Sequence, residues 1–198
     1  MNEPRVTGIV LAGGRSQRFG SDKLAAEVRG RPLLQHPILA LAACCDRIIV
    51  AVSATGAEPP LPWDAGVPVR VVRDAVPDAG PVAGLLAGLE AAETPLVLVA
   101  GGDQPDLRPA LLMLLVSALG TASAAVLADG EEPRSLPTAL RRSPALAAAR
   151  TALGSHDRSL LGVILGLDPV IVPEAAWRPV DPVGAWRRDI DRPEDLGG

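Results

Sequence analysis

Near its N-terminus the chain reads Leu11-Ala12-Gly13-Gly14-Arg15-Ser16-Gln17-Arg18-Phe19-Gly20-Ser21-Asp22-Lys23, residue types that suit a phosphate-rich ligand. Adjacent glycines let a backbone approach a ligand closely and aim its N–H groups at phosphate oxygens. Arg15, Arg18 and Lys23 would neutralise a triphosphate. With Arg29 and Arg31 they put five cations into seventeen residues, against Asp22 and Glu27. Lys23 is the only lysine; the other eighteen basic residues are arginine. A lone ammonium in such a composition suggests a task for a compact point charge rather than a planar fork. The register is neither a Walker loop, which needs Gly-Lys-Ser/Thr, nor the Gly-x-Gly-x-x-Gly dinucleotide fingerprint. By itself, a Gly-Gly pair with nearby arginines also describes an ordinary turn.

The acidic candidates lie far along the chain. Asp103 stands in Gly101-Gly102-Asp103-Gln104-Pro105, directly after the apolar run Leu96-Val97-Leu98-Val99-Ala100. A carboxylate at a strand's end reaches a ligand above the sheet edge, although Asp-x-Pro also suits turn capping. Asp189 and Asp191, two apart, would face one side of a short strand, while Glu194 and Asp195 suit a helix start. Gly80, Gly84 and Gly88 fall on one helical face, and Gly80-Pro81 would present backbone N–H groups to a ligand. His36 reads as structural, and His156 as a lone loop histidine beside Asp157 with no partner for zinc. No Ser/His/Asp order supports a hydrolase. Arg187-Arg188 reads as a solvated pair, the alternative being a grip on an acceptor's phosphate.

Short strands must position these groups. Thr7–Ala12, Arg47–Ser53, Val67–Arg73, Leu96–Ala100, Ala124–Ala128, Leu136–Leu140 and Pro169–Val172 have the length and apolar content of strands. Helices are expected over Pro32–Ala43, Gly80–Ala92, Arg108–Leu119, Pro144–Leu153 and Ser159–Leu165, two of them opening on proline, whose missing N–H costs nothing there. Strands alternating with helices predict an α/β fold of three layers, a Rossmann-like, mostly parallel sheet with helices on both faces. Ligands of such sheets sit beyond the carboxyl ends of the strands, where the Gly-Gly loop, Asp74 and Asp103 all fall. No repeat or linker divides the 198 residues, so one domain over 1–198 is expected.

Composition narrows the partners. Net charge is −4, which argues against a broad nucleic-acid surface, and one cationic loop suits a small polyanion better. No apolar run approaches the roughly 18–20 residues of a membrane span, and Met1–Arg5 lacks a signal-peptide pattern, so a cytoplasmic protein is expected. Aromatics are 2% of the chain, predicting a core filled by aliphatic side chains. Cys44 and Cys45 read as buried, reduced core residues.

The thirteen-residue loop, with Gly80-Pro81-Val82-Ala83-Gly84-Leu85, Gly102-Asp103-Gln104-Pro105, Asp157-Arg158-Ser159-Leu160 and Asp189-Ile190-Asp191-Arg192-Pro193-Glu194-Asp195-Leu196, resembles the nucleotidyltransferases that activate cofactor precursors and sugars. Within them it is most similar to the molybdenum cofactor guanylyltransferase (MobA-like) family, whose motifs span the chain in this order. The resemblance implies the nucleotide-diphospho-sugar transferase type of fold and transfer of GMP from GTP to the terminal phosphate of a pterin-phosphate cofactor, with Mg2+. It implies Arg15, Lys23 and Asp103 as catalytic, and Leu11, Ala12, Gly13, Gly14, Arg15, Lys23, Ser53, Asp74, Gly80 and Asp103 as nucleotide-binding. Asp103 and Asp191 are the implied metal ligands. Asp74 would accept from guanine N1–H and N2–H2, a donor pair adenine lacks. Two departures stand out: Asn in place of Asp at the 189–191 motif is common in the family, and its base-contacting Asn after the second strand is missing, Ser53 lying nearby. These leave CTP open, as well as other acceptors such as a cobalamin precursor or phospholactate. A catalytically silent nucleotide-binding regulator, and a sugar-phosphate nucleotidyltransferase, are the remaining alternatives. No nucleic acid or membrane partner is expected, and the chain would be a monomer or weak homo-oligomer.

Overall fold

A computed structural model describes residues 5–13, 23–55, 58–74, 80–155 and 158–197. Along the chain run β1 (Val6–Leu11), β2 (Glu27–Val28), β3 (Arg31–Pro32), α1 (Gln35–Ala42), β4 (Arg47–Val52), β5 (Val69–Arg73), α2 (Pro81–Ala91) and β6 (Leu96–Gly101). They are followed by α3 (Pro109–Leu119), β7 (Ala124–Asp129), β8 (Glu132–Arg141), α4 (Arg142–Leu153), α5 (Leu160–Leu165), β9 (Val170–Val172) and α6 (Glu174–Trp177). Seven strands form one sheet in the order β5-β4-β1-β6-β8-β7-β9, and β2-β3 form a separate ribbon. Only β8 runs against its neighbours β6 and β7; the other pairings in the large sheet are parallel.

The central strands are apolar on both faces because helices cover both. Ile9, Leu11, Ile49, Ala51, Val97 and Val99 pack with α2, α4 and α5. Their alternate neighbours Val10, Ile48, Val50, Leu98 and Ala100 pack with α1, α3 and α6. The period-2 alternation of a strand thus splits each apolar run between two cores. Gly88 meets Ile9 and Gly84 meets Leu11, so α2 runs antiparallel to β1 and its N-terminus lies beyond the carboxyl end of that strand.

Several expectations need correction. The first helix starts at Gln35 rather than Pro32, because Arg31–Pro32 pairs with Glu27–Val28 in a two-residue hairpin. Arg29 (φ 50) and Gly30 (φ 79) are both left-handed there, the conformation that matches hairpin twist. β8 is ten residues long, extending well ahead of Leu136, because its outer half pairs back on β7 across Gly130. Asp189–Asp191 is irregular rather than a strand. The core is not wholly aliphatic: Trp177 and Trp186 are its largest fully buried side chains, edge to face at 5.7 Å. Cys45 is buried and Cys44 half-buried, both as free thiols. No helix among the described residues is long and apolar enough to cross a membrane.

Candidate active site

The carboxyl ends of β1 and β6 are joined by Gly102 N–H donating to Leu11 O at 3.0 Å. A Cβ on Gly102 would sit 3.2 Å from each of Leu11 O, Leu24 Cδ2 and Leu34 Cδ1. The missing side chain therefore lets the short helical turn Lys23–Ala25 lie against the end of β6, and Lys23 is carried with it. Beyond β6 the chain turns sharply. Gly101 N–H donates to Gln104 Oε1 at 2.9 Å, while Gln104 Nε2 reaches Trp186 O at 3.5 Å. Ile190 N–H then donates to Asp103 O at 3.0 Å, which lays the C-terminal segment over the same turn.

Three distant residues meet as a result. Lys23 Nζ lies 2.9 Å from Asp103 Oδ2 and 2.9 Å from Asp191 Oδ1. The lysine side chain is 12% exposed, against 32% for Asp103 and 69% for Asp191. Burial alone would lower the Lys23 pKa, but the hydrogen bonds to Asp191 and Asp103, with their charges, raise it. Asp195 braces the segment by accepting from the N–H groups of Asp191 and Arg192 at 2.9 and 2.8 Å. These bonds hold its own carboxyl below the ordinary range.

A cleft of about 410 Å³ adjoins this trio, with Asp103, Asp191, Asp189, Arg134, Leu136 and Leu161 on its walls. Asp189 lies in it 3.6 Å from Arg134 Nη2. Burial, with repulsion from Asp103, pushes the Asp189 carboxyl up to about 6. A second group of expected residues gathers on the other side of β1. A Cβ on Gly13 would stand 3.3 Å from Ser53 N and 3.8 Å from Asp74 Oδ2. Asp74 is buried and its Oδ1 accepts from Ala54 N–H at 3.0 Å. Ala12 N–H donates to Ala51 O at 2.8 Å. Gly80 caps α2 with φ 72, at the helix end that points past Leu11.

The structure brings Lys23, Asp103 and Asp191 into contact at one place and Gly13, Ser53 and Asp74 close together at another. Gly14, Arg15 and Arg18, with His156 and Asp157, lie outside the described residues. Two cations leave the expected anion site: Arg29 bonds Pro105 O and Asp106, and Arg31 forms a fork on Asp64. Arg187 and Arg188 are not a solvated pair. The first bonds Asp129 at 2.9 Å and lies over the Trp177 ring, and the second bonds Asp106 and Asp195 O. Reading the sequence missed Arg134 and Gln104. Gln104 was visible inside its motif, whereas nothing around Arg134 marks it.

Among the described residues no three carboxylates, imidazoles or thiols stand close enough to cage an ion by themselves. The Asp103–Asp191 pair nonetheless already grips a cation, the Lys23 ammonium. Two carboxylates beside room for phosphates and water are the donors a hard Mg2+ takes, so the residues present fit that ion.

Residues 8–187 match the sequence model of the MobA-like NTP transferase domain. The chain is 31% identical over 196 residues to a probable molybdenum cofactor guanylyltransferase of Chloroflexus aggregans, covering 96% of this chain and 91% of that one. Among solved structures it resembles molybdopterin-guanine dinucleotide biosynthesis protein A of Archaeoglobus fulgidus, with TM-score 0.76 and 20% identity over 96% of this chain and 94% of the other. It also resembles the 2-C-methyl-D-erythritol 4-phosphate cytidylyltransferase of Thermus thermophilus, with TM-score 0.67 and 22% identity over 95% and 94%. At these identities the structural likeness speaks for the fold.

Proposed function

The chain belongs to the MobA-like NTP transferase family, and on that footing we propose that it transfers GMP from GTP to the terminal phosphate of the molybdenum–pterin cofactor, releasing pyrophosphate. The observation that carries this reading is the Lys23 ammonium shared by Asp103 and Asp191 at the strand ends, beside a cleft with room for a second substrate.

GTP would lie across the carboxyl edge of the sheet. From β5 to β6 is three strand steps, roughly 14 Å, a span suited to an extended nucleotide. Its guanine would meet Asp74, whose carboxylate accepts from N1–H and N2–H2; cytosine lacks that pair, which favours GTP over CTP. Gly13 and Gly14, with the N-terminal end of α2 at Gly80, would offer backbone N–H groups to the phosphates. Arg15 and Lys23 would offset the charge of the triphosphate and the departing pyrophosphate.

The acceptor would occupy the cleft, its phosphate monoester toward Asp103 and its rings against Leu136 and Leu161. An acceptor phosphate oxygen attacks the α-phosphorus in line. The bond from that phosphorus to the bridging oxygen breaks, and pyrophosphate leaves with the electron pair. The acceptor oxygen is already ionised near neutrality, so no general base is needed; positioning and charge neutralisation supply the catalysis. Asp103 and Asp191 would hold Mg2+, which when bound neutralises phosphate charge. One domain over 1–198 carries both substrates, working as a monomer or weak homo-oligomer in the cytoplasm.

The test is turnover with GTP or CTP, molybdenum cofactor and Mg2+. GTP is expected to be used strongly over CTP, and Asp103→Asn to lower kcat at least roughly a hundredfold, a larger loss than that of nucleotide affinity. A strong CTP preference would refute the base assignment, and no transfer with either would refute the reaction.

A further inference from the structure

Lys23 faces two carboxylates rather than open solvent, and this arrangement has consequences for the order in which ligands enter. We propose that Lys23 holds the metal's place in the nucleotide-free enzyme, competing with a divalent cation for Asp103 and Asp191 until a triphosphate takes the ammonium. The proposal rests on reading those two aspartates as metal ligands.

The geometry is specific. One nitrogen touches both carboxylates at 2.9 Å, and the chain holds no other lysine. An ammonium is a compact point charge with three donors that can turn from one set of acceptors to another without moving its stem far. Lys23 opens the short turn Lys23–Ala25, directly after the loop expected to cradle phosphates, so its reach includes both ligand groups. Backbone bonds from Gly102 N–H to Leu11 O and from Ile190 N–H to Asp103 O hold the main chain beside both carboxylates.

Two facing carboxylates repel, and a cation between them removes that repulsion. A divalent cation arriving alone must expel the ammonium, which at 12% side-chain exposure would be left poorly hydrated and without its anions. Arriving with a triphosphate, it brings oxygens that accept the displaced ammonium. Metal and nucleotide therefore bind cooperatively, each raising the other's affinity by the same factor. The empty enzyme holds metal weakly.

The experiment compares wild type with Lys23→Met, which keeps a long stem and removes the charge. Mn2+ serves as a hard divalent probe, and its binding is followed by loss of the free-ion electron paramagnetic resonance signal. Without nucleotide, the variant is expected to bind Mn2+ about tenfold or more tightly than wild type. With a non-hydrolysable GTP analogue present, that advantage disappears or reverses. The variant's circular dichroism and melting temperature confirm that it is folded, and Asp103→Asn added to it should abolish the gain. Because the chain has one lysine, untagged protein labelled with 15N-lysine reports a single side-chain Nζ signal. That signal should shift when the analogue and Mg2+ bind together.

Equal or weaker Mn2+ binding by folded, nucleotide-free Lys23→Met overturns the proposal. So does a gain that survives Asp103→Asn, or an Nζ signal unmoved by the analogue with Mg2+. None of these measurements involves the acceptor or turnover. Failure of guanylyl transfer would leave them standing, and their failure would leave the transfer reaction intact.

Discussion

On the proposed reading, Asp74 combines two tasks at one buried position. One oxygen caps the turn after β4 by accepting from Ala54 N–H, and the other faces Gly13. Asp74→Asn separates these tasks, since the amide oxygen can keep the cap while its NH2 group opposes the donors of guanine. Losing a pair of bonds to a charged acceptor costs about 1.5–3 kcal/mol for each bond. The variant is therefore expected to raise KM for GTP at least roughly a hundredfold and to alter that for CTP far less, as steady-state kinetics with each nucleotide would reveal. Arg29 and Arg31 teach the opposite lesson about single residues. Both lie in a cationic stretch, yet each is committed to a neighbouring carboxylate, so local charge density overstated the anion site.

Among the elements, α2 rests on β1 through its glycines, and the two contacts differ enough to predict opposite outcomes. A Cβ at position 88 would lie 2.6 Å from Ile9 Cγ2, a methyl on a fully buried β-branched residue, whereas one at position 84 would meet Leu11 and Ala51 at 3.6 and 3.7 Å. Overpacking costs about 1–3 kcal/mol, and alanine recovers roughly 1 kcal/mol of helix propensity over glycine. Denaturant unfolding should therefore find Gly88→Ala destabilised by up to about 2 kcal/mol and Gly84→Ala unchanged or slightly stabilised. The antiparallel strand β8 matters for a different reason. It brings Arg134 into the cleft as the basic side chain of its wall among the described residues. Its carboxylate contacts are 3.6 Å to Asp189 and 4.0 Å to Asp129, beyond hydrogen-bond distance. Arg134→Gln is expected to raise KM for the phosphate-bearing acceptor about tenfold or more and to leave KM for GTP unchanged. An equal effect on both substrates would argue that Arg134 acts only on the fold.

On the scale of the molecule, the site is closed by chain that comes last. Ile190 is buried with Val28 and Leu33 in a small cluster apart from the two main cores, and its N–H is bonded to Asp103 O. Ile190→Ala should cost about 2–3 kcal/mol in denaturant unfolding. It should also weaken Mn2+ binding in the presence of a GTP analogue, because Asp191 loses its anchor one residue away. Much of this architecture was legible beforehand. Apolar runs of strand length, helical spacing and proline at helix starts specify the layers, since each is a short-range consequence of burying one face or two. That logic also puts Gly13, Asp74 and Asp103 on one edge. The sequence could not say which acidic residue Lys23 would meet, because its partners lie 80 and 168 residues away. Nor could it tell that Trp177 and Trp186 would anchor the core, or that Arg187 and Arg188 would be bound into the fold. Such pairings depend on strand order, on the missing Cβ of Gly102 and on one backbone hydrogen bond from Ile190. They are decided by how finished elements pack together, not by the periodicity that forms them.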